Sequence, residues 1–415
     1  MLHKTAFALL AGVLLASPLA AQEDEPPPPD LSPGKALNLG SGNAGLSLGN
    51  SSRWNGIRIN LRDRGVREVN GLNVTLWKAA KDANPEAKLR GIMLGIVGPE
   101  GAELTGLSAG LGVVSTRRMT GINLGFLGLV SEGGAYGINL GGLGMVTEGG
   151  AYGVNVGGIG AVAEGGMIGL NVGGLGVVAE GGLIGVNIGG LGAVAEGGAT
   201  GINIGGLGVV AEGGVIGLNL GGLGVVGEDG IVGITLAGLG AVGEDGIRGI
   251  TIAGLGAVGE GGIRGITIAG LGAVGDGGIQ GVTIGGLGVV GEGGIDGITI
   301  GGLGVVGEEH IRGLAIGGLG VVTDERLIGA GLGIGHVRSR QTRGISTAGW
   351  VRNWEEMRGV TIGAYNEMRG TQRGLAIGVY NSAEVLKGVQ IGLLNRAKNN
   401  KPPFRWLPIV NVNLN

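Results

Sequence analysis

Apolar and polar positions alternate along this chain in a short unit that returns almost unchanged. In Leu183–Glu196, Val186 and Ile188 flank Asn187, the pair Gly189-Gly190 interrupts, and a second apolar run starts at Leu191. Alternation puts Val186 and Ile188 on one face of a strand. Continued without a break, that strand would send Leu191 to the opposite face. The double glycine therefore predicts a corner that resets the phase, and Glu196-Gly197-Gly198 predicts a second one. On this reading Leu191 is core, and aliphatic residues from two short strands meet across a thin interior.

The glycine that opens each unit recurs from Gly121 to Gly329 in thirteen consecutive steps of 16 residues. No helix period accounts for that spacing. The same cadence is looser before Gly121, in NGIRINL, NGLNVTLW and RGIMLGI, and after Gly329 its openings are 14 or 15 residues apart. The expected fold is all-β, an elongated parallel two-sheet β-solenoid with 16-residue coils stacked at ~4.8 Å. The rival is an antiparallel meander or transmembrane β-barrel, which requires unbroken apolar-out, polar-in alternation and aromatic girdles. Here the double glycine interrupts the alternation and the middle of the chain is nearly free of aromatics. Trp54, Trp77, Trp350, Trp354, Tyr365, Tyr380 and Trp406 lie in the end units, where large side chains are expected to plug the stack.

Composition sharpens this picture. Of 415 residues 103 are glycine and none is cysteine, so a disulfide framework is excluded. Residues 1–21 carry a positive start, an apolar stretch and small residues before an acidic run, the form of a secretory signal. A Pro-rich and Gly/Ser-rich linker is expected over 22–52, irregular repeats and a cap over 53–120, regular repeats over 121–328, and a basic C-terminal repeat segment over 329–415. Residues 121–323 hold 16 acidic and 3 basic side chains, whereas 324–415 hold 13 basic and 6 acidic. The body is acidic and the C-terminal end basic.

In such a stack every repeat position becomes a column. Asn123, Asn139, Asn155, Asn171, Asn187, Asn203 and Asn219 form one, replaced by threonine from Thr235 to Thr299. In-register asparagines bond to each other as a ladder. A second column is acidic: Glu148, Glu164, Glu180, Glu196, Glu212, Glu228, Glu244 and Glu260. Adjacent carboxylates repel by about 1 kcal/mol even in water, so this row is either a splayed, solvated corner or a site for a divalent cation such as calcium. Against calcium, the aspartate of the nonapeptide calcium roll is replaced by Val178. The third column is Val146, Val162, Val178, Val194, Val210 and Val226, each beside another small apolar residue such as Val177 or Ala193. Two neighbouring strand positions face inward together only at a bulge, so one of the two columns is expected outside, as a partner surface.

Candidate chemistry is sparse. His310 and His336 are too few and too far apart for a metal set or a nucleophile triad, and GGLGVV repeats without the lysine of a phosphate loop. Corners this short leave no cleft, so catalysis and a resident cofactor are not expected.

The end units RGLAIGVYN and KGVQIGLLN, with NGLNVTLW near the start, resemble the leptospiral-type surface repeat family of exported bacterial proteins. The regular middle departs from that family's unit. The resemblance implies a repeat protein at the cell surface or outer envelope and supplies no catalytic residues. The expected role is structural or adhesive, by multivalent display, with an outer-membrane protein as the alternative and an ice- or cation-binding rod as the third reading. Expected partners are a surface ligand, an envelope polymer or a like rod, with membrane association and self-association open and nucleic acid not expected.

Overall fold

The computed structural model describes residues 34–79 and 84–414. The leader and the proline-rich segment lie outside the described residues. The described chain forms a parallel β-solenoid of about 19 turns with coils of about 16 residues. Strands are present from Ala36 onward, so the Gly/Ser-rich end of the expected linker forms the hairpin Ala36–Ser41 and Ala44–Gly49.

A representative coil holds a long strand, Leu183–Gly189, and a short one, Gly192–Ala195. Leu183 pairs in parallel with Met167 and with Ala199, one coil to either side, and the register holds through Gly189. The short strands pair in the same way, Val194 between Val178 and Val210. The corners join the ladder as well: the Leu207 N–H donates to the Leu191 carbonyl at 2.6 Å, and the Gly197 N–H to the Glu180 carbonyl at 2.9 Å. Parallel pairing of every coil with the next excludes both the meander and the barrel.

The two predicted corners are where the sequence placed them, but the contents of the interior are not. Leu183, Asn187, Gly189, Ala193 and Ala195 point inward and are buried. Because Asn187 takes the inner face, alternation forces Val186 and Ile188 outward. Leu191 sits on the corner itself and is 43% exposed, so it is not core. The interior is narrow and partly polar, and the bulk of the branched aliphatic side chains cover the outside.

One glycine column sets the path. Gly185 has φ of 115°, and the glycines opening the other regular units share this left-handed value. A Cβ there would overlap the carbonyl oxygen of Gly169 in the previous coil, so only glycine fits on two counts. The irregular ends keep this column at Gly56, Gly71, Gly91, Gly106, Gly344, Gly359 and Gly374, which is why coils of other lengths still stack.

The interior changes composition partway along. The coils of Asn155, Asn171, Asn187 and Asn203 place Ala163, Ala179, Ala195 and Ala211 in the short strand; the Asn219 coil and the coils with a buried threonine place glycine there and isoleucine four residues later. A Cβ on Gly275 would lie 2.8 Å from the Gly278 carbonyl oxygen and 3.0 Å from Cγ1 of Ile279, and one on Gly291 2.8 Å from both the Gly294 carbonyl oxygen and Cγ1 of Ile295. In these coils the isoleucine lies against the glycine, so the interior stays closely packed without a side chain at that position.

Both ends are closed by reversed strands. Ala36–Ser41 runs antiparallel to Ala44–Gly49, and Trp406–Asn413 antiparallel to Gly388–Arg396. Of the end aromatics only Trp54 is inside; Trp77, Trp350, Tyr365 and Trp406 are exposed, so they do not plug the stack. At the N-terminal end the plug is polar instead: Arg58 occupies the inner position that asparagine takes elsewhere and pairs with buried Asp63 at 2.6 Å. Asn73 and Thr75 complete that network, at 2.8 Å from Arg58 and from Asp63 respectively.

Candidate interaction faces

The buried column is a hydrogen-bonded ladder. Each amide from Asn123 to Asn203 donates to the Oδ1 of the next asparagine at 2.8 or 2.9 Å, and Asn219 ends the run on the Thr235 hydroxyl at 3.3 Å. Thr267, Thr283 and Thr299 continue the column with buried hydroxyls that find no partner. Wholly buried, the ladder holds the stack and touches no ligand. Its external consequence is indirect, since each inward polar residue turns two aliphatic neighbours outward.

Two outer faces result. The long-strand face carries the Val186 and Ile188 positions and those of Ile168, Ile184 and Ile216, with Tyr136 and Tyr152 stacked at 4.7 Å near its start. Arg248, Arg264, Asp296 and Arg312 then break its apolar character. The short-strand face is not interrupted. Leucine or isoleucine projects from every coil between Leu143 and Leu319, each at least 40% exposed. Beside this row runs the candidate valine column. Val146, Val162, Val194, Val210 and Val226 are half-buried and outward, while Val178 is more covered at 7% exposure. Their neighbours Met145, Ala161, Val177, Ala193, Val209 and Val225 are the inward set. The ambiguity between adjacent columns is thereby resolved without a bulge. Twelve coils at ~4.8 Å make this a stripe about 55 Å long.

The acidic column borders that stripe. Glu148, Glu164, Glu180, Glu196, Glu212, Glu244 and Glu260 are exposed at the corner and Glu228 is half-buried. Partial burial, then the neighbouring charges of Glu196 and Glu164, push the Glu180 carboxyl above the usual carboxylate range. Among the described residues no three His, Cys, Asp or Glu side chains converge as a metal site. His310 lies 3.5 Å from Asp296 and shares it with Arg312, well apart from His336.

Past Val322 the same outer position changes chemistry. Val322 pairs with Arg338, and Arg338 with Arg352. Both guanidiniums lie over the Trp354 ring, at 5.8 and 5.5 Å, with Arg369 at 4.2 Å from it. Trp350 meets Tyr365 edge-on at 5.7 Å, and Tyr365 stacks on Tyr380 at 4.8 Å. Glu367 binds Arg352 at 2.8 Å and Arg369 at 2.9 Å. Burial works against its charge, yet the hydrogen bonds from Arg369 and Arg352 hold its carboxyl below the usual range. A shallow pocket of about 450 Å³ opens here, lined by His336, Arg338, Trp350 and Arg352. The sequence shows this end to be basic, but its aromatics are expected there as plugs and not as one outer row with the arginines; the fifteen-residue spacing of Trp350, Tyr365 and Tyr380 is the available signal.

No protein-family model, curated protein or solved structure matches this chain.

Proposed function

We propose that this protein is an exported repeat rod of the cell envelope or surface, acting without catalysis by multivalent contact. The observation that carries this reading is the uninterrupted Leu/Val stripe, about 55 Å long on the ~4.8 Å coil spacing. Apolar surface of that extent, rimmed by carboxylates, supports an interaction site. A weak contact repeated at a fixed spacing on a stiff rod adds up to avidity. The leader-like start of the sequence supports export.

The test is location and binding together. Fractionation of the producing cells, with protease added to intact cells, is expected to find the chain in the envelope and open to cleavage. Lysine at Val194, Val210 and Val226 together is expected to release it while leaving circular dichroism unchanged. Recovery in the cytoplasm would overturn the envelope assignment.

A second reading, insertion into a lipid layer, is favoured by the outward aliphatics on both faces. Flotation of the purified chain with uncharged phosphatidylcholine vesicles would support it, and a chain that stays at the bottom of the gradient would count against it.

A further inference from the structure

We propose that two copies of this protein pair antiparallel over their C-terminal halves, the arginine and aromatic block of each rod lying on the acid-bordered Leu/Val face of the other. This rests on the reading of that face as the working surface and names its partner.

Three observations lead there. First, the block and the stripe are one surface, because Val322, Arg338 and Arg352 are paired neighbours in a single outer column. Second, the block has unspent charge. Glu356 binds Arg358 and Arg373, and Glu367 binds Arg352 and Arg369, yet among the described residues no carboxylate reaches Arg338, which lines the open pocket beside His336.

Third, charge is laid out in blocks along the rod. Residues 53–120 hold 11 basic and 6 acidic side chains, a balance of +5; 121–323 balance at −13 and 324–415 at +7. Rods side by side in register would set acid on acid, and fully overlapped antiparallel rods would set basic ends on basic ends. An antiparallel pair overlapping only in the C-terminal halves opposes residues 233–323, with 8 acidic and 3 basic side chains, to residues 324–388, with 9 basic and 6 acidic, so a balance of −5 meets one of +3 twice about a two-fold axis. With the overlap running from about Gly233 to Gly388, the axis falls near Gly313, and Arg338 and Arg352 face the coils that end in Glu308 and Glu292. That overlap is about 50 Å by 16 Å on coil and strand spacings, roughly 800 Å² per partner, the size of a standard stable interface.

Sedimentation of the full chain tests this. The expected result is a dimer at low salt that dissociates as salt is raised. Arg338→Glu with Arg352→Glu is expected to be monomeric, and so is Glu292→Lys with Glu308→Lys. Mixing these two variants is expected to restore the dimer, since each then presents charges complementary to the other. A second pair, Arg338→Gln and Arg352→Gln, covers the case in which the glutamates impair folding, and should weaken the dimer several-fold. A monomer at every concentration, salt-independent association, or no rescue on mixing would overturn the proposal. So would a monomer that floats with phosphatidylcholine vesicles, because acyl chains would then be the occupant. A monomer that is still found on the envelope and still released by lysine at Val194, Val210 and Val226 would refute the dimer alone and leave the proposed function standing.

Discussion

The side-chain amide of Asn171 donates to Oδ1 of Asn187, one coil further on, at 2.8 Å, and neither residue reaches solvent. The equivalent residues Thr267 and Thr283 are buried without any such bond. Truncating the two kinds of coil should therefore have opposite results. Asn171→Ala leaves its neighbours' buried polar atoms unmatched and is expected to cost about 1–3 kcal/mol. Thr283→Val removes an unpartnered hydroxyl at constant shape and is expected to be neutral or mildly stabilising. Chemical denaturation of both variants measures the contrast, which a loss in the threonine variant matching that of the asparagine variant would contradict.

Leu191 stands on a corner with two-fifths of its surface open. Leu191→Asp is accordingly expected to keep the β-type circular dichroism spectrum, with a change within about ±0.5 kcal/mol as for other surface positions. Ala193→Asp, one coil position inward, is expected to unfold the neighbouring coils, because it buries an unpaired charge.

The exchange of alanine for glycine and isoleucine makes a coupled pair. Gly275→Ala pushes a Cβ against the Gly278 carbonyl oxygen and Ile279 and is expected to cost about 1–3 kcal/mol by overpacking. Ile279→Ala alone leaves a cavity and is expected to cost about 2–5 kcal/mol. The double substitution should cost less than the sum, and a double-mutant cycle reads the difference.

Asp63 neutralises an arginine that never meets water. Asp63→Ala strands that charge and is expected to cost about 3–5 kcal/mol. Because each coil leans on its neighbours, the loss should appear in hydrogen exchange as opening of the N-terminal coils first, with the C-terminal half still protected.

Acid should act in opposite directions on the coils around Glu180 and those around Glu367. Glu180 has a raised carboxyl, so the folded coils bind its proton more readily than the unfolded chain does. The contribution of this one group to the coils around Glu180 is expected to rise as pH falls through the range just above the ordinary carboxylate value. Glu367 has a lowered carboxyl; its contribution is complete above the ordinary carboxylate value and is lost as pH falls through its depressed one. Hydrogen exchange resolved along the chain at several pH values would show both trends, and parallel trends would contradict them.

Much of this architecture was legible in the residues. The 16-residue step of the opening glycine gave the coil, its corners and the in-register columns, because each of these needs only periodicity. The Asn123 to Asn219 ladder was legible too, since identical amides at a strand spacing have few other partners. The sidedness was not. Val186, Ile188 and Leu191 look like core by hydropathy, and only the inward turn of Asn187 sends them out. Pattern shows which residues share a face, whereas which face is inside depends on how much volume the coil encloses. Here that volume admits Ala193 and Ala195 but not a second rank of leucines. The C-terminal block is less legible for a similar reason: its charge and aromatic content are plain in the residues, but Arg338 joins the valine column only once the strands are aligned.

Because the opening glycine has nearly the same φ in every regular unit, each coil presents its successor with the same backbone edge it received. Removing or duplicating sixteen residues anywhere between Gly121 and Gly313 joins two interfaces that already fit. Rod length is thus a quantity that simple recombination within the coding sequence can adjust, one increment at a time, while both closing hairpins remain as they are.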